Sequence, residues 1–432
     1  MLKLNSYNVI PGGSGPEFVS RRRAVLSHKY ELFYDKPLVP SAASGPWIFD
    51  ADGKRYLDAY NNVVSVGHGN PRVVEAIGSQ SATLCTHTRY VNDELCRLVE
   101  RLSSKHAIGE WRGILTCSGS EANDLALRIA MEFTGGDTFI VTDHAYHGLT
   151  AMTQSLTTSM AGYSRLADRL GVRVLRVPAP VSHQDGANDF LLGIEDALHA
   201  CESNGHRIAG AIFDSFFTSD GLSIMPFGFL TKAIDMIHEY GGIYIADEVQ
   251  PGFGRSGTHF WGFQVHDADP DIITMGKPMG NGYPTAGLLL KSYLDDYIPD
   301  SYFNTFGGNN VAVAAAHAVL DEIEENELMS NARKQSLIIE TGFRDVAKRF
   351  PHLSDIRIIG LSVGVDIISD DGLPDAQGAL RIVDAMKELG VLISTSGKMG
   401  NTLKIRPLLI YNNEESLFLV EQLDRAARRV LT

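Results

Sequence analysis

The chain has 432 residues, with 38 basic against 52 acidic side chains and a formal charge of −14 when histidine is neutral. Its 44% hydrophobic and 21% charged residues are those of an ordinary folded chain with ample mass for a buried core. The acidic balance opposes a nucleic-acid or anionic-membrane partner, since either would repel most of the surface, yet it leaves room for a local cationic pocket.

At about 150 residues per domain, the length suggests three units or two large ones. No stretch approaches the roughly 18 apolar residues that span a bilayer. Met1 to Tyr7 holds a lysine with no apolar run after it, so a cytoplasmic protein is expected. Cys85, Cys96, Cys117 and Cys201 show no paired C-x-x-C spacing. Four so placed suit neither a disulfide scaffold nor a zinc module, so no metal site is expected and a reducing compartment is. The 42 glycines exceed the usual ~7% and suggest tight turns and close backbone approach to a ligand.

From about residue 110 to 275, short β-rich runs alternate with helical patterns, the signature of crossover units feeding a mostly parallel sheet. Strands are predicted at Ile114–Cys117, Thr138–Val141, Val172–Val177, Ala209–Phe213, Gly242–Ala246 and Asp271–Met275. Between them, apolar residues at three and four spacing predict helices at Glu121–Phe133, Phe190–Ser203 and Phe229–Tyr240. Crossover handedness then places helices on both faces of the sheet. Beyond residue 308 come two long helical patterns, Ala312–Glu325 and Leu328–Arg349, then a strand at Asp355–Ile359. Helices near Ala376–Leu389 and Glu414–Leu431 flank strands Val391–Ser394 and Thr402–Ile405, which reads as a second, smaller α+β domain.

Ligands of open α/β sheets bind beyond the carboxyl ends of the strands, and three such ends carry chemistry. In Thr116 to Asn123 a strand turns through Ser118, Gly119 and Ser120 straight into a helix. Ser118 and Glu121 fit an S-x-x-E capping box. The same turn also offers a phosphate site, where bare amides and the helix dipole meet an anion. The apolar strand Gly242 to Ala246 ends in Asp247 and Glu248. These could cap a helix, but the Pro251 to Gly257 segment that follows is a poor helix former. The strand Asp271–Met275 delivers Lys277 between Gly276 and Pro278. Most lysines are solvated, but burial here would depress the amine's pKa and make it a nucleophile toward a carbonyl. Gly252, Gly254 and Gly257 match G-x-G-x-x-G, with Asp271 about 20 residues on, but they do not open a helix, so a dinucleotide site is set aside.

A phosphate cradle, a strand-end carboxylate and a lysine thirty positions later form the constellation that pyridoxal phosphate chemistry needs. The runs SGSEANDLALRIA (118–130), HAYHG (144–148), IADEVQPGFGRSG (245–257), DIITMGKPMGNGYP (271–284) and NTFGGNN (304–310) resemble the class III aminotransferase family over nearly the whole chain. The resemblance implies a fold-type I pyridoxal phosphate enzyme of the α/β class. Its large domain, residues 61–310, would carry a mostly parallel sheet between helices. A smaller α+β domain would span residues 311–432, with residues 1–60 associated with it.

The resemblance further implies Lys277 as the Schiff-base lysine, Asp247 as the partner of the pyridine nitrogen and Gln250 as a neighbour of the ring hydroxyl. Tyr146 would stack on the ring. Ser118, Gly119 and Ser120 would hold the phosphate, and His147 would lie among the cofactor residues. Thr305 would reach the phosphate of the neighbouring subunit, which implies a homodimer. By residue type alone, Tyr146 also reads as a core aromatic, His144 and His147 as turn residues and Arg255 as one half of an ion pair.

Tyr56 to Pro71, with its Asn61-Asn62 pair, and Thr86 to Asp93 are similar to the ethanolamine-phosphate and phosphohydroxylysine phospho-lyases of this class. That similarity implies elimination of phosphate from a phosphorylated amine, with amino transfer to a 2-oxo acid as the alternative. Elimination asks for a second anion site, supplied by arginine forks or amide donors. The candidates are Arg89, Arg23 of the Arg21-Arg22-Arg23 run, Asn61, Asn62 and Arg406. The Arg triplet equally fits a solvated charge run, and Arg406 an ion pair.

Overall fold

The computed structural model describes residues 17–106, 108–180 and 184–431. Near the N-terminus, β1 (Pro40–Ser44), β2 (Trp47–Asp50) and β3 (Arg55–Asp58) form an antiparallel meander. Helices Pro71–Thr83 and Asp93–Ser103 follow, each opened by an asparagine, Asn70 or Asn92, whose side chain accepts from the first-turn amides.

The central sheet comprises β4 (Trp111–Thr116), β5 (Thr138–Thr142), β6 (Arg173–Val177), β7 (Ile208–Asp214), β8 (Ile243–Asp247), β9 (Ile272–Met275) and β10 (Ala286–Lys291). Its order is β4-β10-β9-β8-β7-β5-β6, and every pair is parallel except the two made by β10. The predicted α/β architecture is present, and six of these strands coincide with predicted ones to within a few residues. The seventh, β10, is absent from the prediction. Its Ala-Gly-Leu-Leu-Leu-Lys has neither β-branched residues nor alternation, and leucine favours helix when context is ignored. Burial between two strands overrides that preference.

Alternate residues of these strands enter two cores. Phe139, Val141, Ile212, Ile245 and Leu288 pack with Leu125 and Ile129 of helix Gly119–Thr134. Ile140, Phe213, Tyr244, Ile273 and Leu289 pack with the opposite layer, which includes Phe190, Ile194 and Ile234. Both faces are therefore covered, as a mostly parallel sheet requires. Among the described residues no helix is long and apolar enough to cross a membrane.

Helices Asn310–Glu325 and Leu328–Ala347 lead into β11 (Leu353–Ile359) and β12 (Ser362–Ile367). After helix Ala376–Glu388 come β13 (Val391–Leu392), β14 (Ser394–Ser396) and β15 (Thr402–Ile405), and helix Asn413–Val430 closes the fold. The antiparallel order is β11-β12-β15-β14. The single strand expected at Val391–Ser394 is divided between two sheets, because β13 instead pairs in parallel with β3. This pairing joins the N-terminal meander to the C-terminal unit.

Candidate active site

The carboxyl ends of β4, β7, β8 and β9 deliver the chemistry-bearing residues to one region. Beyond β4, Ser118 caps helix Gly119–Thr134, its Oγ accepting from Glu121 N at 3.3 Å, while Glu121 Oε2 accepts from Cys117 N at 2.7 Å. The capping interaction is therefore present at Ser118. The next two residues are shaped by close approach. A Cβ on Gly119 would lie 2.8 Å from a Val249 methyl, and one on Gly148 2.5 Å from Ser120 Oγ. Only glycine fits at 119 and 148, and the first-turn amides of a helix N-terminus suit an anion.

Asp247, the last residue of β8, is buried. Its Oδ2 lies 2.8 Å from His147 Nδ1 and accepts from Asn123 Nδ2 at 2.9 Å, while Oδ1 accepts from Val249 N at 3.1 Å. Asn123 also donates to the His147 carbonyl at 2.8 Å and accepts from Thr274 Oγ1 on β9. His147 is thus no mere turn residue. It is buried against the carboxylate, and its Nε2 has no partner among the described residues. Its neighbours in HAYHG are poor guides to this, because the contact spans 100 residues of sequence.

In register with Asp247 on the adjacent strand stands Asp214, whose Oδ2 accepts from Gln250 Nε2 at 3.3 Å. Burial, reinforced by neighbouring Asp247, raises the Asp214 pKa above the usual carboxylate range. The Gln250 carbonyl in turn accepts from Asn62 Nδ2 at 3.3 Å, tying the Asn61-Asn62 segment to this wall.

Of these groups Asn62 and Gln250 line a cavity of about 280 Å³, together with Tyr60, Asn61, His144, Tyr146, Lys277, Lys404 and Arg406. Lys277 comes one residue after β9, past Gly276, and burial, with Arg406 pushing the same way, lowers its amine's pKa against the pull of Asp247 and Asp214. Burial likewise brings the Arg406 guanidinium down to about 10, opposed by Asp214. Arg406 is only 3% exposed and its Nη2 has no hydrogen-bond partner. It forms no ion pair among the described residues, contrary to one of its two sequence readings. Tyr146 is half-buried, and burial raises its phenol's pKa.

Other candidates lie elsewhere on the chain. Arg89 is exposed, its guanidinium 4.2 Å from the Phe303 ring centre, and does not line the cavity. Arg23 belongs to helix Glu17–Val25 and is exposed, as is Thr305. Arg255 makes no ion pair among the described residues. Its buried Nη1 donates to the Leu361 and Pro407 carbonyls at 2.8 and 3.0 Å. Sequence gave no sign of this, since both acceptors are backbone atoms brought in from the C-terminal unit. Sequence reading also passed over Asn123, Asp214 and Lys404. Asn123 sits inside a quoted motif, and Lys404 lies two residues from Arg406, a spacing that puts both on one side of a strand.

The sequence profile described as Aminotransferase class-III matches residues 32–427. The chain belongs to this family. Among curated relatives, the Caenorhabditis elegans protein "Ethanolamine-phosphate phospho-lyase homolog 1" is 34% identical over 437 residues, covering 95% of this chain and 93% of that one. The Arabidopsis thaliana protein "Alanine--glyoxylate aminotransferase 2 homolog 2, mitochondrial" is 35% identical, covering 96% and 87%. Among solved structures, a phospholyase from Arthrobacter in complex with phosphoethanolamine superposes with a TM-score of 0.90 at 37% identity, covering 95% of this chain and 99% of that one.

As a class III aminotransferase family member the chain is a pyridoxal phosphate enzyme with the fold-type I architecture. Its residues fit that cofactor. At the start of helix Gly119–Thr134 Val249 leaves no room for a Cβ on Gly119, so bare backbone stands there, and Asp247 is oriented by donors from three elements. Lys277 lines the neighbouring cavity.

Proposed function

We propose that the chain is a phospho-lyase that eliminates inorganic phosphate from a phosphorylated amino alcohol, with phosphoethanolamine giving acetaldehyde, ammonia and phosphate. The observation that supports this best is the charge of the cavity. Three basic side chains, Lys277, Lys404 and Arg406, line it and no carboxylate does, in a chain with 52 acidic residues. Such a lining favours a substrate whose far end is an anion. The Caenorhabditis and Arthrobacter relatives point to the same chemistry.

Bound pyridoxal phosphate supplies an electron sink that acidifies the proton on the carbon bearing nitrogen. In the resting enzyme Lys277 would hold the cofactor, the Gly119 and Ser120 amides its phosphate, and Asp247 would pair with its ring nitrogen. Lys277 Nζ, freed when the substrate's amine takes its place and made easier to deprotonate by burial, would then take the proton from that carbon. Arg406 holds the substrate's phosphate, which departs with the electron pair of the carbon–oxygen bond. The amine product tautomerises and hydrolyses, so no amino acceptor is consumed. We assign the working form as a cytoplasmic homodimer in which Thr305 serves the partner's cofactor.

Amino transfer to a 2-oxo acid is the second reading, favoured by the aminotransferase relatives. The deciding measurement is phosphate released from phosphoethanolamine by cofactor-loaded protein without any 2-oxo acid. Phosphate, ammonia and acetaldehyde in equal amounts are expected. No phosphate, with a cofactor absorbance that bleaches on adding amine and returns with pyruvate, would establish the transaminase instead.

A further inference from the structure

His144 reads by residue type as a turn residue, yet the fold places it on the lining of the active-site cavity. It comes two residues after β5, while Lys277 reaches the same cavity from β9, three places along the sheet. The backbone here is pinned from both sides. Asp220 Oδ1 accepts from His144 N at 3.1 Å, and the next residue, Ala145, donates to Thr158 Oγ1 at 2.7 Å and accepts from Ser159 Oγ at 2.9 Å. The imidazole, by contrast, makes no hydrogen bond or ion pair among the described residues. A ring left free on so firm a support is placed for a group that enters the cavity.

Phosphate elimination needs two proton transfers, and Lys277 accounts for the one at the carbon bearing nitrogen. At the other end the carbon–oxygen bond breaks and its electron pair stays with oxygen. A phosphate monoester already carries nearly two negative charges at neutral pH, so the departing group would be a strongly basic trianion unless that oxygen gains a proton. The donor should be the strongest acid on the lining, with a pKa near the working pH. Ordinary values are 6.5 for an imidazole, 10.0 for the phenols of Tyr60 and Tyr146 and 10.5 for the amine of Lys404. Burial raises both phenols further. The imidazolium is therefore the acid best matched to the task.

Before substrate binds, that proton is held weakly. Burial, with Lys398 and Lys404 acting the same way, lowers the His144 pKa, and Asp143 opposes them. Asp143 is itself paired with Lys398, Oδ2 to Nζ at 3.1 Å. The remaining titratable groups around the ring are Asp220, which accepts from the His144 backbone, and Tyr60, Tyr146, Lys277 and Arg406 on the lining. An entering phosphate reverses the balance, since a dianion favours the charged form of a nearby imidazole. The proton is then in place when the bond breaks.

We propose that His144 is the general acid of the elimination: its ring N–H gives a proton to the bridging oxygen as the carbon–oxygen bond breaks, so hydrogen phosphate leaves and the neutral imidazole regains a proton from solvent. This rests on the phospho-lyase reading and assigns the second proton transfer of that reaction.

The test compares the cofactor-loaded wild type with His144→Gln on two substrates, phosphoethanolamine and ethanolamine O-sulfate, whose leaving group is a weak base that needs no proton. His144→Gln should slow phosphate release by about a hundredfold or more, the contribution of one general acid. Sulfate release should stay within about threefold of wild type, which a merely structural loss would not allow. A second readout is free of turnover. In enzyme carrying isotope-labelled histidine, the ring signal missing from His144→Gln should shift its titration midpoint upward by about one pH unit or more on saturation with inorganic phosphate. Phosphate release unchanged in His144→Gln, as it would be if Lys277 handed on the proton it had taken, would overturn the assignment. So would an equal loss on both substrates, or a midpoint indifferent to phosphate. A wild type that released no phosphate would remove the phospho-lyase reading and this assignment with it, whereas release that survives in His144→Gln removes His144 alone.

Discussion

His147 Nδ1 and Asp247 Oδ2 lie 2.8 Å apart, a contact between the loop after β5 and the end of β8. With Asn123 donating to the same oxygen, the carboxylate proposed to meet the cofactor is fixed from two sides. A carboxylate held this way spends no time in unproductive rotamers, so its supports act on catalysis without touching substrate. His147→Ala should reduce turnover by about tenfold to a hundredfold, the range for losing a hydrogen bond to a charged group. The cofactor should also dissociate faster, while KM for the amine stays near its wild-type value. Unchanged turnover and cofactor release would show that Asn123 alone is sufficient.

Lys277 carries two roles in the proposed reaction, and its replacement separates the chemistry from the binding. Lys277→Ala should lose the near-visible absorbance of a lysine-bound cofactor. Phosphate release should fall by at least about a hundredfold to ten-thousandfold, the contribution of a positioned general base. Folding should be unaffected, since the side chain opens into a cavity rather than into the core. Full activity in this variant would remove both pyridoxal phosphate readings at once.

Asp220 provides a pH-linked prediction. Its Oδ2 accepts from Thr142 Oγ1 at 2.8 Å and its Oδ1 from His144 N at 3.1 Å, and burial pushes its pKa up to about 7. Because the folded value exceeds the ordinary 3.8, the folded protein retains a proton that the unfolded chain has lost across that window. The stability this group confers is complete below the lower value and disappears as pH rises through the upper one. Asp220→Asn keeps both contacts, its carbonyl accepting from His144 N and its amide donating to Thr142 Oγ1. It should therefore stabilise the fold by about 2 kcal/mol above pH 7, discounted for residual solvent access, and by almost nothing at pH 4. Thermal melts across that range would show a gain growing with pH; a constant or reversed difference would refute it.

The parallel sheet was legible because β-branched runs such as Ile208–Asp214 and Ile243–Asp247 are self-evident at single-sequence level. The leucine run of β10 was not, since its strand character comes from its neighbours. The site divides along the same line. Asp247 and Lys277 stand out because each terminates an apolar strand at the ligand-binding edge. Lys404 and Arg255 acquire meaning only when the C-terminal sheet is folded against the large domain, which no local pattern encodes. Arg89 shows the converse. It was a candidate for the second anion site, yet its side chain lies on the Phe303 ring at the surface, while Tyr90 stacks on His87 at 5.1 Å.

That same surface bears on assembly. His87 meets both Tyr90 and the edge of Phe303, and Phe306 follows Thr305 in the adjoining turn. Tyr90 is 64% and Phe306 69% exposed in the single chain. Aromatic rings left to water beside one another are the anchors of protein interfaces, where truncating one costs about 2 kcal/mol or more. If this face joins two copies, Thr305 is carried to the partner's site, and assembly and cofactor retention are coupled. Phe306→Asp should then shift sedimentation from dimer toward monomer by about thirtyfold in dissociation constant. Cofactor should be lost on dilution in parallel, whereas the wild type retains it. Thr305→Ala should weaken cofactor retention without changing the sedimentation of the dimer. A wild type that sediments as a monomer at every concentration while keeping its cofactor would end the homodimer assignment, and with it the role given to Thr305.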